Sequence, residues 1–358
     1  MQQIIPASGG INPAPAATAS TPKSKTFLNY IHHFRGIAIL YVVAAHPLLQ
    51  WAEGSPMEKI LNIIFQNSTV MFIFIAGYLF QHLSAKFEYK DYLVKKLQGV
   101  ICPYILLSIP IIVARLISGN VPGNTLDVYP DFASFPAWKQ IGYYLLHGAH
   151  MQPFWFIPMI TLYYLGAPIL IYIDRHPRWY WVLLPLFVVS TVLVQRAALA
   201  DTFRMAIHFL FVYLFGMFMS HYKDRYLEFA KKYWLPITVL SFLSLAVNFY
   251  VPARYYDPAD FTQKILFSCF YIYWLWKLER YVPKVINILA TLSFGIFFVH
   301  YFFVLLQRSV SYKIYGHEMP GNLFSWALCN LFVLVPTVLI LMAARKVFGK
   351  YSKYFVGC

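Results

Sequence analysis

The sequence predicts an all-α fold, a polytopic bundle of about ten transmembrane helices with both termini in the cytoplasm. Three observations carry that expectation. First, 59% of the 358 residues are hydrophobic and only 12% are charged, whereas soluble domains carry roughly 25% charged residues. Second, apolar runs of about 17 residues or more alternate with short charged connections, as membrane spans require. Third, 20 of the 29 Lys and Arg residues fall on alternate connections when the N-terminus is placed inside, the asymmetry that orients membrane proteins.

The elements follow in order. Residues 1–26 are rich in Pro, Ala, Ser and Thr, with no basic stretch leading into an apolar one. They read as a disordered cytoplasmic tail and not as a signal peptide. Residues 27–348 form one transmembrane domain, and 349–358 a cytoplasmic C-terminal tail. The ten spans are expected near 34–51, 63–82, 100–118, 153–173, 180–198, 204–221, 233–251, 263–279, 286–307 and 323–344. Segment 137–147 is too short to span and reads as interfacial or re-entrant. Lys86–Gln98 and Tyr222–Tyr233 mix lysines with apolar residues, which suits helices lying in the interface. The outer connection 119–150 carries Pro122, Pro130, Pro136, Asp127 and Asp131 and is placed to cap an outward-facing cavity. No inverted repeat is visible.

The formal charge of +15 is absorbed by inward-facing span ends, so no nucleic-acid partner is expected. Cys102, Cys269, Cys329 and Cys358 show neither metal-ligand spacing nor a disulfide framework. No metal site is expected.

Chemistry is concentrated in Ile31–His46. Arg35 opens an apolar run and His46 follows eleven residues later. On one continuous helix that is about three turns, so the two share a face roughly 16 Å apart. Arg35 is then expected at the inner water boundary and His46 about half-way through the hydrocarbon, where an ionisable group marks a functional site by default. A neutral imidazole there suits a general base, and a guanidinium fork suits an incoming phosphate. The plainer alternatives are a snorkelling arginine and a histidine bonded to a neighbouring helix.

Further features stand beside this pair. Phe72–Leu79 places Ala76 and Gly77 where another helix can approach closely. Lys95 and Lys96 precede Ile101-Cys102-Pro103-Tyr104, either as ordinary inner flanks or as phosphate ligands. Ser293–His300 brings a second histidine, His300, into a span. On the outer side, His147 and His150 precede Phe154-Trp155-Phe156, and Arg204 and His208 lie four apart. Both sets are candidates for an acceptor site or for interfacial anchors.

Together these stretches resemble the acyltransferase 3 family of membrane acyltransferases, which includes exopolysaccharide and O-antigen O-acyltransferases. Arg35 and His46 follow the first-span Arg-Gly-x-Ala…His pattern, Phe72–Leu79 the second-span pattern, Lys95–Tyr104 the third and Ser293–His300 the last. Phe154–Pro158 is similar to the family's Leu-Trp-Phe-Leu stretch. Three positions differ: His32 stands where the family carries an acid, Ala76 where it carries Ser, and Val100 where it often carries Arg. The resemblance implies ten helices, a cytoplasmic acyl-CoA donor (acetyl-CoA or succinyl-CoA) with no tightly bound cofactor, and a hydroxyl acceptor on a lipid-linked or exported glycan.

On that footing the expected catalytic residues are His46, Arg35 and His300. The donor is expected on Arg35, Lys95 and Lys96, and the acceptor on Trp155, Arg204 and His208. The expected setting is a bacterial inner membrane, among membrane lipids and beside polysaccharide synthesis or export machinery. A transporter or flippase of glycan intermediates without chemistry is the rival reading, since intramembrane His and Arg also serve proton relays.

Overall fold

A computed structural model describes residues 27–196 and 201–358; the expected N-terminal tail lies outside the described residues. Among the described residues the regular structure is helical apart from one pair of two-residue strands. Its first half comprises α1 (Asn29–Ala44), α2 (Pro56–Phe65), α3 (Thr69–His82), α4 (Tyr89–Lys96), α5 (Cys102–Ser118), α6 (Gly123–Leu126), α7 (Ala137–His147), α8 (Phe156–Leu165) and α9 (Ala167–Arg175). The second half comprises α10 (Leu183–Val188), α11 (Thr202–His221), α12 (Lys223–Lys232), α13 (Trp234–Tyr250), α14 (Tyr256–Lys277), α15 (Lys284–Tyr315), α16 (Leu323–Phe348) and α17 (Ser352–Phe355).

Among the described residues, five helical segments are long and apolar enough to cross a membrane, or up to seven if two bent pairs each count as one crossing. The count of ten and the side of the termini stay expectations of the sequence; α1, at 16 residues, falls short of a full span on length alone. Interfacial character at Tyr222–Tyr233 meets a sharp geometry, since α12 and α13 are bent by 89°. Lys86–Gln98 differs from expectation. A π-helical turn at Leu97–Ile101 joins α4 to α5 without a break, and Tyr89–Ser118 is one helical segment of 30 residues.

Small residues set the closest helix crossings. A Cβ on Gly77 of α3 would overlap the carbonyl of Tyr213 on α11, and one on Gly216 of α11 would overlap that of Phe74 on α3. The two backbones therefore touch, as small residues permit in membranes. Gly36 brings α1 equally close to Ile286 on α15. One hydrophobic core joins buried residues of α1, α3, α8, α11, α14 and α15, Phe34, Phe74, Phe209 and Phe298 among them.

Three expected spans are interrupted; one of them, 153–173, falls on α8 and α9, bent by 57° at Gly166. The first was expected to run to residue 51, but α1 ends at Ala44. Pro47 has no N–H for the next helical bond and pushes residue 46 out of the helical region. His46 and Arg35 therefore do not lie on one continuous helix face; His46 stands in the connection beyond α1. The second span is interrupted between Phe65 and Thr69, where Asn67 takes φ 57°, a left-handed conformation that Asn tolerates better than most residues. The chain after His46 forms β1 (Leu49–Gln50), which pairs in parallel with β2 (Met319–Pro320).

Candidate active site

Arg35 is held from one side. Its Nε donates to Ser293 Oγ at 3.1 Å and its Nη2 to the Ala290 carbonyl at 2.6 Å. A guanidinium has five N–H donors, so three remain for another partner. Arg35 helps to line a cavity of about 620 Å³, together with Ser293, Lys86, Lys95 and Lys96. Lys95 is exposed, whereas Lys96 is partly buried, its ammonium over the Tyr164 ring at 4.7 Å. Four cationic side chains thus line the cavity, with Glu88 and Asp91 also on its wall.

The rest of the cavity is long and mostly apolar. Thr69, Phe72, Ala76, Leu79 and Leu83 all line it. Their spacing of three or four makes one stripe of α3, running roughly 21 Å at 1.5 Å per residue. Phe297 lines it on α15, and His300 is three residues further on, about 4.5 Å along the axis. Gly357 also reaches the wall, packed on the rings of Phe298 and Phe294.

Beyond that end sit the two histidines. The His46 ring stacks on His300, with centroids 5.3 Å apart and 25° between planes. Tyr301 presents its ring edge-on to His46 at 5.5 Å. The nitrogens of the pair are not hydrogen-bonded to each other, so His300 does not orient His46 as a triad partner would. His300 Nδ1 faces the carbonyls of Ile296 and Phe297 at 2.8 and 3.0 Å. Carbonyls only accept, so Nδ1 carries the proton and Nε2 presents a lone pair. That Nε2 is buried and has no hydrogen-bond partner. On the far side of Tyr301, its hydroxyl donates to Gln152 Oε1 at 2.7 Å, and Gln152 is exposed. Arg196 lies within electrostatic reach of His46 and stacks over Trp155 at 5.7 Å.

Of the residues expected at an acceptor site, Trp155 and His208 meet on Phe209, whereas Arg204 is exposed. Trp155 is buried and stacks on Phe209 at 5.7 Å. His208 turns into the bundle, where Nδ1 donates to the Ser190 and Val194 carbonyls at 3.0 and 2.8 Å. Arg204 is exposed, its backbone N–H bonded to Asp201 at the start of α11. Arg204, in the first turn of α11, stays exposed while His208 one turn on is buried, so their spacing of four does not by itself make one site. His150 is fully buried between the Tyr144 carbonyl and Ser108 Oγ, at 3.0 and 2.8 Å. It pins the connection before α8 to α5, and burial pushes its imidazole down to about 4.

An acyltransferase-domain family model, acyltransferase 3, matches residues 28–344. The chain belongs to the acyltransferase 3 family. Among curated proteins and among solved structures nothing matches. Family membership and the apolar helices together make this a membrane acyltransferase.

Several residues around the acyltransferase's histidine pair carried no sequence signal that singled them out. Arg35 and Ser293 lie 258 residues apart, and only folding reveals their contact. Tyr301, Gln152 and Arg196 are of types that any span boundary supplies. One pair was legible in principle. Asp260 and Lys264 stand at i and i+4 near the start of α14, a spacing that brings opposite charges together. Both are buried, 3.2 Å apart. Lys264 also donates to the last carbonyls of α2, Ile63 at 2.6 Å and Ile64 at 3.2 Å. Asn67 donates to Asp260 at 2.6 Å. The pair thereby holds the break between α2 and α3.

Proposed function

We propose that this acyltransferase moves a short acyl group, acetyl in the first instance or succinyl, from cytoplasmic acyl-CoA to a hydroxyl of a cell-surface or lipid-linked polysaccharide. The observation that carries the reading is a cavity lined both by Arg35, Lys86, Lys95 and Lys96 and by a long apolar stripe of α3, and reaching Phe297, three residues before His300. Such a shape matches a donor whose anionic head stays at the water boundary while a thin arm reaches inward. Arg35, Lys95 and Lys96 hold the phosphates, Arg35 through its three free N–H groups. The arm follows the α3 stripe and delivers the thioester carbonyl to the histidine pair.

At that point an imidazole of the pair takes the proton of the acceptor hydroxyl. The oxygen attacks the thioester carbon, the C–S bond breaks, and the departing thiolate receives the proton from the imidazolium. His46 is the group we assign to this step, as base or as carrier of the acyl group. His300, with its unpaired Nε2, stands beside it for the acceptor. General base catalysis of this kind is worth about 10² to 10⁴ in rate. The acceptor approaches past exposed Gln152. The setting we propose is a bacterial inner membrane, beside the machinery that builds or exports the glycan.

The test uses purified protein in detergent with acetyl-CoA and succinyl-CoA, with release of free CoA as the readout. Turnover falls about 10²-fold or more in His46→Ala while the thermal midpoint is retained. Mass spectrometry of the surface glycan from cells with and without the active protein then identifies the acylated sugar. Absence of any acyl-CoA binding or turnover refutes the proposal and favours a transporter of glycan intermediates.

A further inference from the structure

His46 stands on backbone that belongs to no helix, inside a domain built of apolar helices. Away from water an unmet peptide group costs several kcal/mol, so such a break persists only where side chains take the place of the missing bonds. Here three side chains from three different elements do so. Trp326 Nε1 on α16 donates to the Ala44 carbonyl at 3.1 Å. Gln66, at the end of α2, donates to the Ala45 carbonyl at 3.2 Å. Gln307 on α15 bonds both backbone groups of one residue: its Oε1 accepts from Leu48 N at 3.3 Å, and its Nε2 donates to Leu48 O at 3.1 Å. These anchors fall two and one residues before His46 and two residues after it.

Gln307 is the anchor with the firmest hold. It is 4% exposed, and Nε2 also lies 3.2 Å from Ser311 Oγ. It follows His300 by seven residues on the same helix, and seven residues are close to two full turns. One face of α15 therefore presents the ring that stacks on His46 and the amide that grips the backbone beside it.

We infer that Gln307 is a positioning residue for His46, acting with Gln66 and Trp326 to hold the imidazole in register with His300. The inference rests on the reading that His46 serves the transfer step. It goes beyond stability, because the bracket closes on the two backbone stretches that flank one side chain. Displacing a reacting group by about 1 Å is enough to cost roughly 10²-fold in rate.

The experiment compares Gln307→Leu, which loses both contacts, with Gln307→Glu, which keeps the acceptor for Leu48 N and loses the donor to Leu48 O. With acetyl-CoA as the probe, kcat falls about 100-fold in Gln307→Leu and less in Gln307→Glu. KM for acetyl-CoA and the thermal midpoint stay near those of the wild type. Should Gln307→Leu not fold, Trp326→Phe removes a single N–H and carries the same comparison. A second measurement is independent of turnover: a thiol placed by His46→Cys is modified by a methanethiosulfonate reagent about tenfold faster when Gln307→Leu is added. Unchanged labelling overturns the bracket, whatever happens to activity. Full turnover in His46→Ala instead removes the chemical role of His46, while faster labelling would still establish the hold on its backbone.

Discussion

Arg35→Ala separates donor binding from protein stability, because the groups that hold Arg35 remain satisfied without it. Ser293 Oγ already donates to the Ala290 carbonyl at 2.9 Å. Removal of the guanidinium therefore leaves neither atom orphaned, and the thermal midpoint should move by no more than a few degrees. The three unshared N–H groups are what the donor loses. A hydrogen bond to a charged group is worth about 1.5 to 3 kcal/mol. Loss of one such contact with a phosphate raises KM for acetyl-CoA by roughly 10- to 150-fold, and loss of two raises it further. Arg35→Lys retains the charge but not the fork and lies between the two. The assay is steady-state release of CoA from detergent-purified protein at low and high salt. The wild-type KM should rise with salt as exposed Lys95 is screened. A fall in kcat with KM unmoved in Arg35→Ala would refute the phosphate role and assign Arg35 to turnover.

Three further outcomes follow from other parts of the fold. Gly77→Ala places a methyl against the Tyr213 carbonyl; it should destabilise the α3–α11 crossing by about 1 to 3 kcal/mol or more, seen as an earlier thermal transition. Lys264→Met leaves Asp260 buried without its cation and costs about 3 to 5 kcal/mol, whereas adding Asp260→Asn recovers much of the loss; equal instability of the single and double variants would contradict the pairing. Burial holds His150 at about 4, below its unfolded value of about 6.5. Between those values the unfolded chain binds a proton that the folded chain refuses, so this contribution is complete above pH 6.5 and is lost at about 1.4 kcal/mol per unit as pH falls toward 4. The midpoint of wild type should fall over that window, and His150→Phe should flatten the slope.

The sequence by itself determined that the chain is an apolar helical membrane protein, and which family it joins. Both follow from local quantities: the length of each apolar run, the placement of lysines and arginines, and short motifs whose residues are neighbours in the chain. It also named the residues on which the proposed function rests, Arg35, His46, Lys95, Lys96 and His300. Their arrangement it could not supply. Spacing alone makes Arg35 and His46 neighbours on one helix, yet Pro47 ends that helix early, and the histidine is held instead by Gln66, Gln307 and Trp326. Spacing likewise pairs Arg204 with His208, yet whether a helix edge faces core or lipid depends on what packs against it. Contacts such as Arg35 with Ser293, or Lys264 with the end of α2, join segments roughly 200 residues or more apart. No local rule encodes them. They exist because backbone-to-backbone crossings at Gly36, Gly77 and Gly216 draw the helices together, and because a polar group carried inside is stabilised by any partner it then meets.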